Sequence, residues 1–430
     1  MRHPLRHIFC VLGFSLVPLS LSAGGYFLGV DRDDNLFNRR LANPSVHWKL
    51  IVQATQMPNG HAINFDTVQR QLNAAFSAWS NRPELTLTFT YGGMESRNAS
   101  EQWERNDGIN ALIFKQMPDY KIGNRVVSLY GLTYINGTAE PETASGHLPG
   151  DGLIRDVDID FNVNQSDIFY SNFLVILATH EIGHMIGLRH TFIENAMMFP
   201  GKSFNSPTAL QADDIAWVQK EYLQPTYPLE TGTLSGTVVD AVTRKGFPGI
   251  HVVAINTDHP YSFDGDVLES GVAVSAFSNP DGTFSIPNLP AGTYIVYAQD
   301  LGTSGIDLGE TVSKFLSTAQ YQIKGDSTYY FAPEFYDGPD KECNLEDISD
   351  YRNAKPIAVN ANTHIANIVF VSNVSSASER ICARTLDHSD DDGGGCAVRL
   401  PAQENRLFPL TLLLPIAVAL IYRRKGFFEL

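Results

Sequence analysis

Cysteine is the scarcest feature of this 430-residue chain: there are four, at positions 10, 343, 382 and 396. None lies between Cys10 and Cys343, so no disulfide can form within that long stretch. Basic residues are also few, 31 Lys and Arg against 47 Asp and Glu, giving a formal charge of -16 with no basic cluster in the body. That balance excludes a nucleic-acid partner. Acidity of this kind serves solubility; acidic loops that bind calcium, Ca2+, are the sharper alternative. Charged residues at 18% and apolar residues at 43% are those of a globular chain, not a disordered one. At this length one ordinary core does not suffice, and two folded domains plus end segments are expected.

The long apolar runs lie at the ends. Arg2 and Arg6 precede a run from Ile8 to Leu21, and small residues stand at Ser20, Ser22 and Ala23. This is the tripartite pattern of a secretory signal peptide over residues 1–23; Pro18 and the small residues argue against a buried first helix. A short segment, 24–43, follows. At the far end, residues 374–406 form a polar linker ending near Gly393-Gly394-Gly395-Cys396, before the apolar run Leu407–Tyr422 and Arg423-Arg424-Lys425. The sixteen residues of that run are slightly short for a spanning helix but suit a thin bilayer or a sorting signal. Positive charge just after it would stay cytoplasmic and leave the body outside, extracellular or at a bacterial cell surface. The order of parts in 407–430 and the linker resembles bacterial C-terminal sorting tags that a membrane protease trims, with Cys396 as the processing or lipidation site; a permanent membrane anchor is the alternative. In an oxidising compartment Cys343 and Cys382 are the right number for one disulfide, with two unpaired buried thiols as the other reading.

Between the ends the texture changes once. Residues 44–223 alternate strand and helix patterns. Val46–Ala54 reads as a strand; Asp66 is the expected cap of a helix to about Trp79, with Val68, Leu72, Ala75, Phe76 and Trp79 at helical spacing. Leu85–Tyr91, Ile109–Phe114 and Val126–Ile135 read as strands, and Phe173–Leu188 as a long apolar helix. Val157, Ile159 and Phe161 alternate with Asp156, Asp158 and Asp160, the pattern of a strand with one wet face. Residues 224–231 hold two prolines and read as a linker. From 232 to 373 short β-rich runs recur between turn signals such as Asn279-Pro280-Asp281-Gly282, which implies an all-β sandwich.

The chemistry is concentrated in His180-Glu181-Ile182-Gly183-His184-Met185-Ile186-Gly187-Leu188-Arg189-His190. On a helix, residues four apart share a face, so His180 and His184 can present two imidazoles to one metal. Glu181 is one position off that face, where a carboxylate can reach a water without becoming a ligand. Gly187 can take positive φ and turn the chain back, which lets His190 supply a third nitrogen. Three protein ligands leave one position of a Zn2+ ion open, as catalysis requires.

This segment matches the metzincin consensus. Thr191 after the third histidine, Ala196-Met197-Met198-Phe199-Pro200, and Leu210-Gln211-Ala212-Asp213-Asp214-Ile215 resemble the matrixin branch, over about residues 44–223. The resemblance implies an α+β zincin fold, one catalytic zinc, Met198 beneath the ligands, and a substrate-binding edge strand at Asp156–Asn162, with Asp158, Ile159 and Asp160 beside the peptide. The loop between Pro200 and Leu210 would wall the main specificity pocket. Phe199 stands where tyrosine is usual. No cysteine precedes the motif after the signal peptide, so a cysteine-switch latency is not expected, and the segment before Pro44 is short for a folded pro-domain. Asp158 falls where a structural-zinc histidine would be, leaving His147 alone nearby, so no structural zinc is expected. Residues 232–373, with Gly-x-Val, Gly-Ile-x-Val, Asp-Gly-x-Phe and Leu-Pro-Ala-Gly-x-Tyr, resemble the carboxypeptidase-regulatory-like, prealbumin-type (immunoglobulin-like) sandwich, with an insertion around 301–327.

The expectation is a secreted or surface-anchored zinc metalloendopeptidase acting on proteins or peptides, with Glu181 as general base. The alternative is a surface binding protein that keeps the zinc fold without turnover. The tail supplies its own test. Trimming near Cys396 yields a membrane-associated protein whose intact mass lacks Leu407–Leu430; a full tail with Cys396 unmodified overturns the sorting-tag reading.

Overall fold

The computed structural model describes residues 40–98, 107–136, 153–258, 273–299, 331–338 and 354–371, with gaps at 123–124, 128, 192, 194, 200–201, 203–205, 241–243, 248, 280 and 332–333, together with the strands Phe9–Val11, Phe14–Ser15, Leu28–Val30 and Leu36–Asn38. His147, Cys343, Cys382, Cys396, the 301–327 insertion, the polar linker and the C-terminal run lie outside them.

A twisted sheet carries the first domain. Its strands are β1 (Ser45–Val52), β2 (Thr88–Ser96), β3 (Asn110–Lys115), β4 (Gly131–Asn136) and β5 (Asp156–Asn162). Their order is β4-β5-β3-β1-β2, antiparallel between β4 and β5 and parallel elsewhere. On the outer side of β4 the chain's own Phe9–Val11 pairs antiparallel, with Cys10 opposite Thr133.

Helix α1 (Phe65–Ser80) lies against this sheet with Val68, Leu72, Ala75, Phe76 and Trp79 buried, the face predicted from spacing. Trp48 of β1 stacks on Phe76 at 4.6 Å between ring centroids. The helix is capped by Asn64, whose Oδ1 accepts from the Thr67 N–H at 3.1 Å. The expected cap, Asp66, sits instead in the first turn, where its charge meets the positive end of the helix. Helix α2 (Phe173–Met185) is apolar all round apart from the motif, and every residue but Val175 is buried. A helix of that composition needs cover on all sides. It finds part of that cover in α1, whose Trp79 Nε1 donates to the Thr179 carbonyl at 2.9 Å.

Strand β5 departs from its sequence reading. It lies between β4 and β3, so Asp158, Ile159 and Asp160 are on an internal strand and not at the edge. Nor has it a wet face: all seven residues are buried. The aspartates are held there by polar partners. Asp158 accepts from the Ala111 N–H at 3.2 Å, and Asp160 pairs with Lys115 Nζ at 2.5 Å. Asn162 answers Met117 and Leu129 main-chain groups. Strand β2 also begins later than its expected span, at Thr88.

Helix α3 (Ala212–Tyr222) closes the first domain. The second is a β-sandwich. One sheet is ordered β9 (Thr283–Pro290), β6 (Thr231–Val239), β13 (His364–Val371); the other is ordered β8 (Ala273–Phe277), β7 (His251–Asn256), β10 (Gly292–Gln299), β11 (Glu334–Phe335), with β12 (Ile357–Val359) also on β10. The turn between β8 and β9 has Gly282 at φ +80°, with its N–H donating to the Asn279 carbonyl at 2.8 Å. Leu234, Val238, Val252, Ala254, Phe284, Ile286, Val296 and Phe370 fill the space between the sheets. The fold class is therefore the expected one, an α+β zincin-like domain followed by a β-sandwich. Among the described residues no helix is long and apolar enough to cross a membrane.

The capping assignment is testable. Asn64→Ala should cost about 1 kcal/mol of α1 stability, and Asp66→Ala clearly less, read as hydrogen-exchange protection across residues 65–80. The reverse order would restore Asp66 as the cap.

Candidate metal centre

Helix α2 delivers His180, Glu181 and His184 into the buried space beside β4, and a helix-ending motif brings in the third imidazole. The Leu188 N–H donates to the Gly183 carbonyl at 2.9 Å and the Gly187 N–H to the His184 carbonyl at 2.9 Å, with Gly187 at φ +97°. This is a Schellman stop, in which a left-handed residue satisfies the last carbonyls of the helix. The helix thus ends at Met185, three residues short of the expected Leu188. The reversed chain then places His190 opposite the helix. The potential ligand atoms of His180, His184 and His190 all lie within 4.8 Å of one another.

Each helical imidazole is oriented by a carbonyl. His180 Nδ1 lies 2.8 Å from the Met197 carbonyl, and His184 Nδ1 lies 2.8 Å from the Leu188 carbonyl. A carbonyl accepts, so each Nδ1 carries the proton and each Nε2 keeps its lone pair for the centre of the cluster. His184 Nε2 and His190 Nε2 are 3.2 Å apart. His180 Nε2 is buried and has no hydrogen-bond partner. A buried lone pair with no donor is costly unless a cation takes it. Burial first, then neighbouring charge, holds His180 and His190 well below the ordinary histidine range, and burial lowers His184 to about 4. All three are neutral at pH 7, the form in which imidazole binds metal. Nitrogen ligands in this number, with a buried lone pair left over, fit zinc.

Glu181 is 1% exposed and stands off the histidine face. Burial pushes its carboxyl up to about 8, opposed by the Thr133 hydroxyl, which donates to Oε2 at 2.5 Å. Two residues of β4 define its niche. A Cβ at Gly131 would come within 2.8 Å of Glu181 Oε1, so only glycine leaves room for the carboxylate. Neither Gly131 nor Thr133 was marked by the motif, and no local sequence signal connects them to it.

Met198 is buried against Gly183 of α2. A Cβ on Gly183 would fall 2.2 Å from Met198 Sδ, which explains a glycine in the middle of α2 despite its cost there. The turn containing Met198 is held by Asp214 of α3, which accepts from Met197 N at 2.7 Å and Met198 N at 3.0 Å. Asp214 was legible only as the start of a helix.

Residues 98–223 match the family model described as matrixin, and residues 233–313 match the carboxypeptidase regulatory-like domain. Human matrix metalloproteinase-26 is 41% identical over 133 residues, covering 29% of this chain and 49% of the relative. Human matrix metalloproteinase-15 is 29% identical over 168 residues, 33% of this chain and 24% of the relative. Karilysin of Tannerella forsythia is 26% identical over 136 residues, 31% of this chain and 25% of the relative. The chain thus spans between 24% and 49% of the length of these relatives. The first domain is similar to the matrixin domains of these relatives, and it brings together the three histidines that could hold a metal ion. More narrowly, a matrixin-like domain is followed by a carboxypeptidase regulatory-like β-sandwich.

The Schellman stop makes a prediction. A β-branched residue at positive φ is disfavoured by roughly 1–2 kcal/mol. Gly187→Val should therefore weaken zinc binding about five- to thirtyfold through His190, measured by competition with a chromogenic chelator. Unchanged affinity would mean that the turn does not set the third ligand.

Proposed function

We propose that this chain is an exported zinc metalloendopeptidase that hydrolyses peptide bonds in extracellular proteins. The observation that carries the reading is the convergence of three neutral imidazoles, one with an orphaned buried nitrogen, beside a buried carboxylate that is not part of the cluster. His180, His184 and His190 would hold the ion. A zinc ion held there would polarise a scissile carbonyl and lower the pKa of a water toward about 7. Glu181 takes the proton of the attacking water on its carboxylate and passes it to the leaving amine. The Thr133 hydroxyl fixes one carboxylate oxygen, Oε2, which leaves Oε1 as the oxygen for the proton transfer.

The substrate lies along β4. That strand is next to the site through Gly131 and Thr133, and its outer edge takes an extended antiparallel segment, as its pairing with Phe9–Val11 illustrates. With the leader removed, a peptide substrate takes that place, and main-chain hydrogen bonds set its register.

The decisive variant is Glu181→Ala. It should keep the zinc content of the native chain and lose roughly 100- to 10,000-fold in kcat on a denatured casein-type substrate. A variant that cleaves at the native rate rules out the general-base role. A native chain that holds zinc and cleaves nothing is a binding protein.

A further inference from the structure

The loop from Thr191 to Met198 joins the third histidine to the methionine turn, and its far side is made by the other domain. Ile193 and Ala196 are buried in a cluster with Val253, Ile255, Ala273 and Tyr297 of the sandwich. The polar contacts are equally specific. Asp213, the second residue of α3, is 1% exposed. Its Oδ1 accepts from the Ser275 N–H at 2.7 Å and from Ser275 Oγ at 3.2 Å, and its carboxylate also accepts from the Thr191 hydroxyl. One turn along α3, Trp217 Nε1 donates to the Ser275 carbonyl at 2.9 Å.

Ser275 sits on β8, the outer strand of its sheet. An outer strand carries main-chain donors and acceptors with no strand to pair with. Here both main-chain groups of Ser275 are taken by Asp213 and Trp217, which lie four apart and hence on one face of α3. Asn288 of β9 adds a bond from Nδ2 to the Ala216 carbonyl at 2.8 Å. The apolar contacts run on without a break, since Trp217, Val218 and the sandwich residues Leu234 and Ile286 belong to one core cluster.

We propose that the sandwich is a working part of the zinc site, with Asp213 and Ser275 as positioning residues. The two clamp Thr191, and through it His190, so that metal binding and order in β8 are coupled. This rests on the metal-site reading above. Coupling between two sites is reciprocal: what strengthens zinc binding from β8 must be returned to β8 by zinc. Residues that act on a metal through its ligands typically change affinity by about 10- to 100-fold when removed.

The test uses the full chain. Asp213→Ala should weaken zinc binding about 10- to 100-fold, measured by chelator competition. Asp213→Asn keeps an acceptor for the Ser275 N–H and should recover most of that loss. Phe370→Ala, a core deletion in the opposite sheet, should lower the melting temperature of the sandwich and leave zinc affinity in place. Hydrogen exchange gives the converse arm: stripping zinc should reduce protection in Ala273–Phe277 as well as in residues 190–199. The proposal is overturned if Asp213→Ala binds zinc like the native chain, if Phe370→Ala weakens zinc as much as Asp213→Ala does, or if the loss of protection stops at residue 223. A native chain that takes up no zinc sinks the metal-site reading itself, a separate outcome.

Discussion

Three imidazoles, two of them buried and one half-buried, and a buried carboxylate on and beside one apolar helix are the constraint on which the rest of this structure depends. Such groups are costly to take from water without partners. Among the described residues no basic side chain acts on the carboxylate; its bond partner is the neutral hydroxyl of Thr133. His180 and His184 each meet a carbonyl at Nδ1, and His180 keeps an unanswered Nε2. The arrangement is electrically incomplete in one direction, toward a cation. The hydrophobic cover from α1 and the sheet is what makes that incompleteness strong, because a low-dielectric surround magnifies every interaction within it.

Three glycines make this geometry possible, each for a different reason. Gly131 leaves room on β4 for the Glu181 carboxylate, Gly183 leaves room in α2 for the Met198 sulfur, and Gly187 supplies the left-handed turn. The first two are spatial, and each would be filled by a single methyl group. Glycine inside a helix or strand costs roughly 0.5–1 kcal/mol relative to alanine. The site therefore weakens its own scaffold locally, and Trp79, buried against Gly183, offsets part of that cost.

What the sequence made legible was local. The buried face of α1, the ligand spacing, the turn at Gly187 and the sandwich turn at Asn279–Gly282 each follow from a few neighbouring residues. What it hid was non-local. The alternation of Asp156, Asp158 and Asp160 with apolar residues is the usual mark of solvent on one face, and it misleads here because β4 and β3 flank the strand and main-chain N–H groups and Lys115 answer the acids. The same topology puts β5 inside the sheet and sets β4 between it and Phe9–Val11, a fact no single strand contains. Asn64 and Asp66 are both acceptable caps by type, and only the position of the first helical turn decides between them. Thr133 approaches Glu181 from 48 residues away.

Asp213 and Asp214 show how adjacency in sequence can mean opposition in space. Successive helical residues point about 100° apart, so two neighbouring acids at a helix start cannot serve one partner equally. Asp214 turns to the turn at Met197 and Met198; Asp213 turns to Thr191 and the sandwich. Both sit in the first turn, where the helix favours negative charge. Burial works the other way and pushes Asp213 up to about 7, with the Thr191 and Ser275 bonds pulling it back. A carboxylate so placed holds its charge only while its donors stay put. The start of α3 thus grips the metal loop from below and from the side at once, and one of the two grips is completed by a strand that belongs to the second domain.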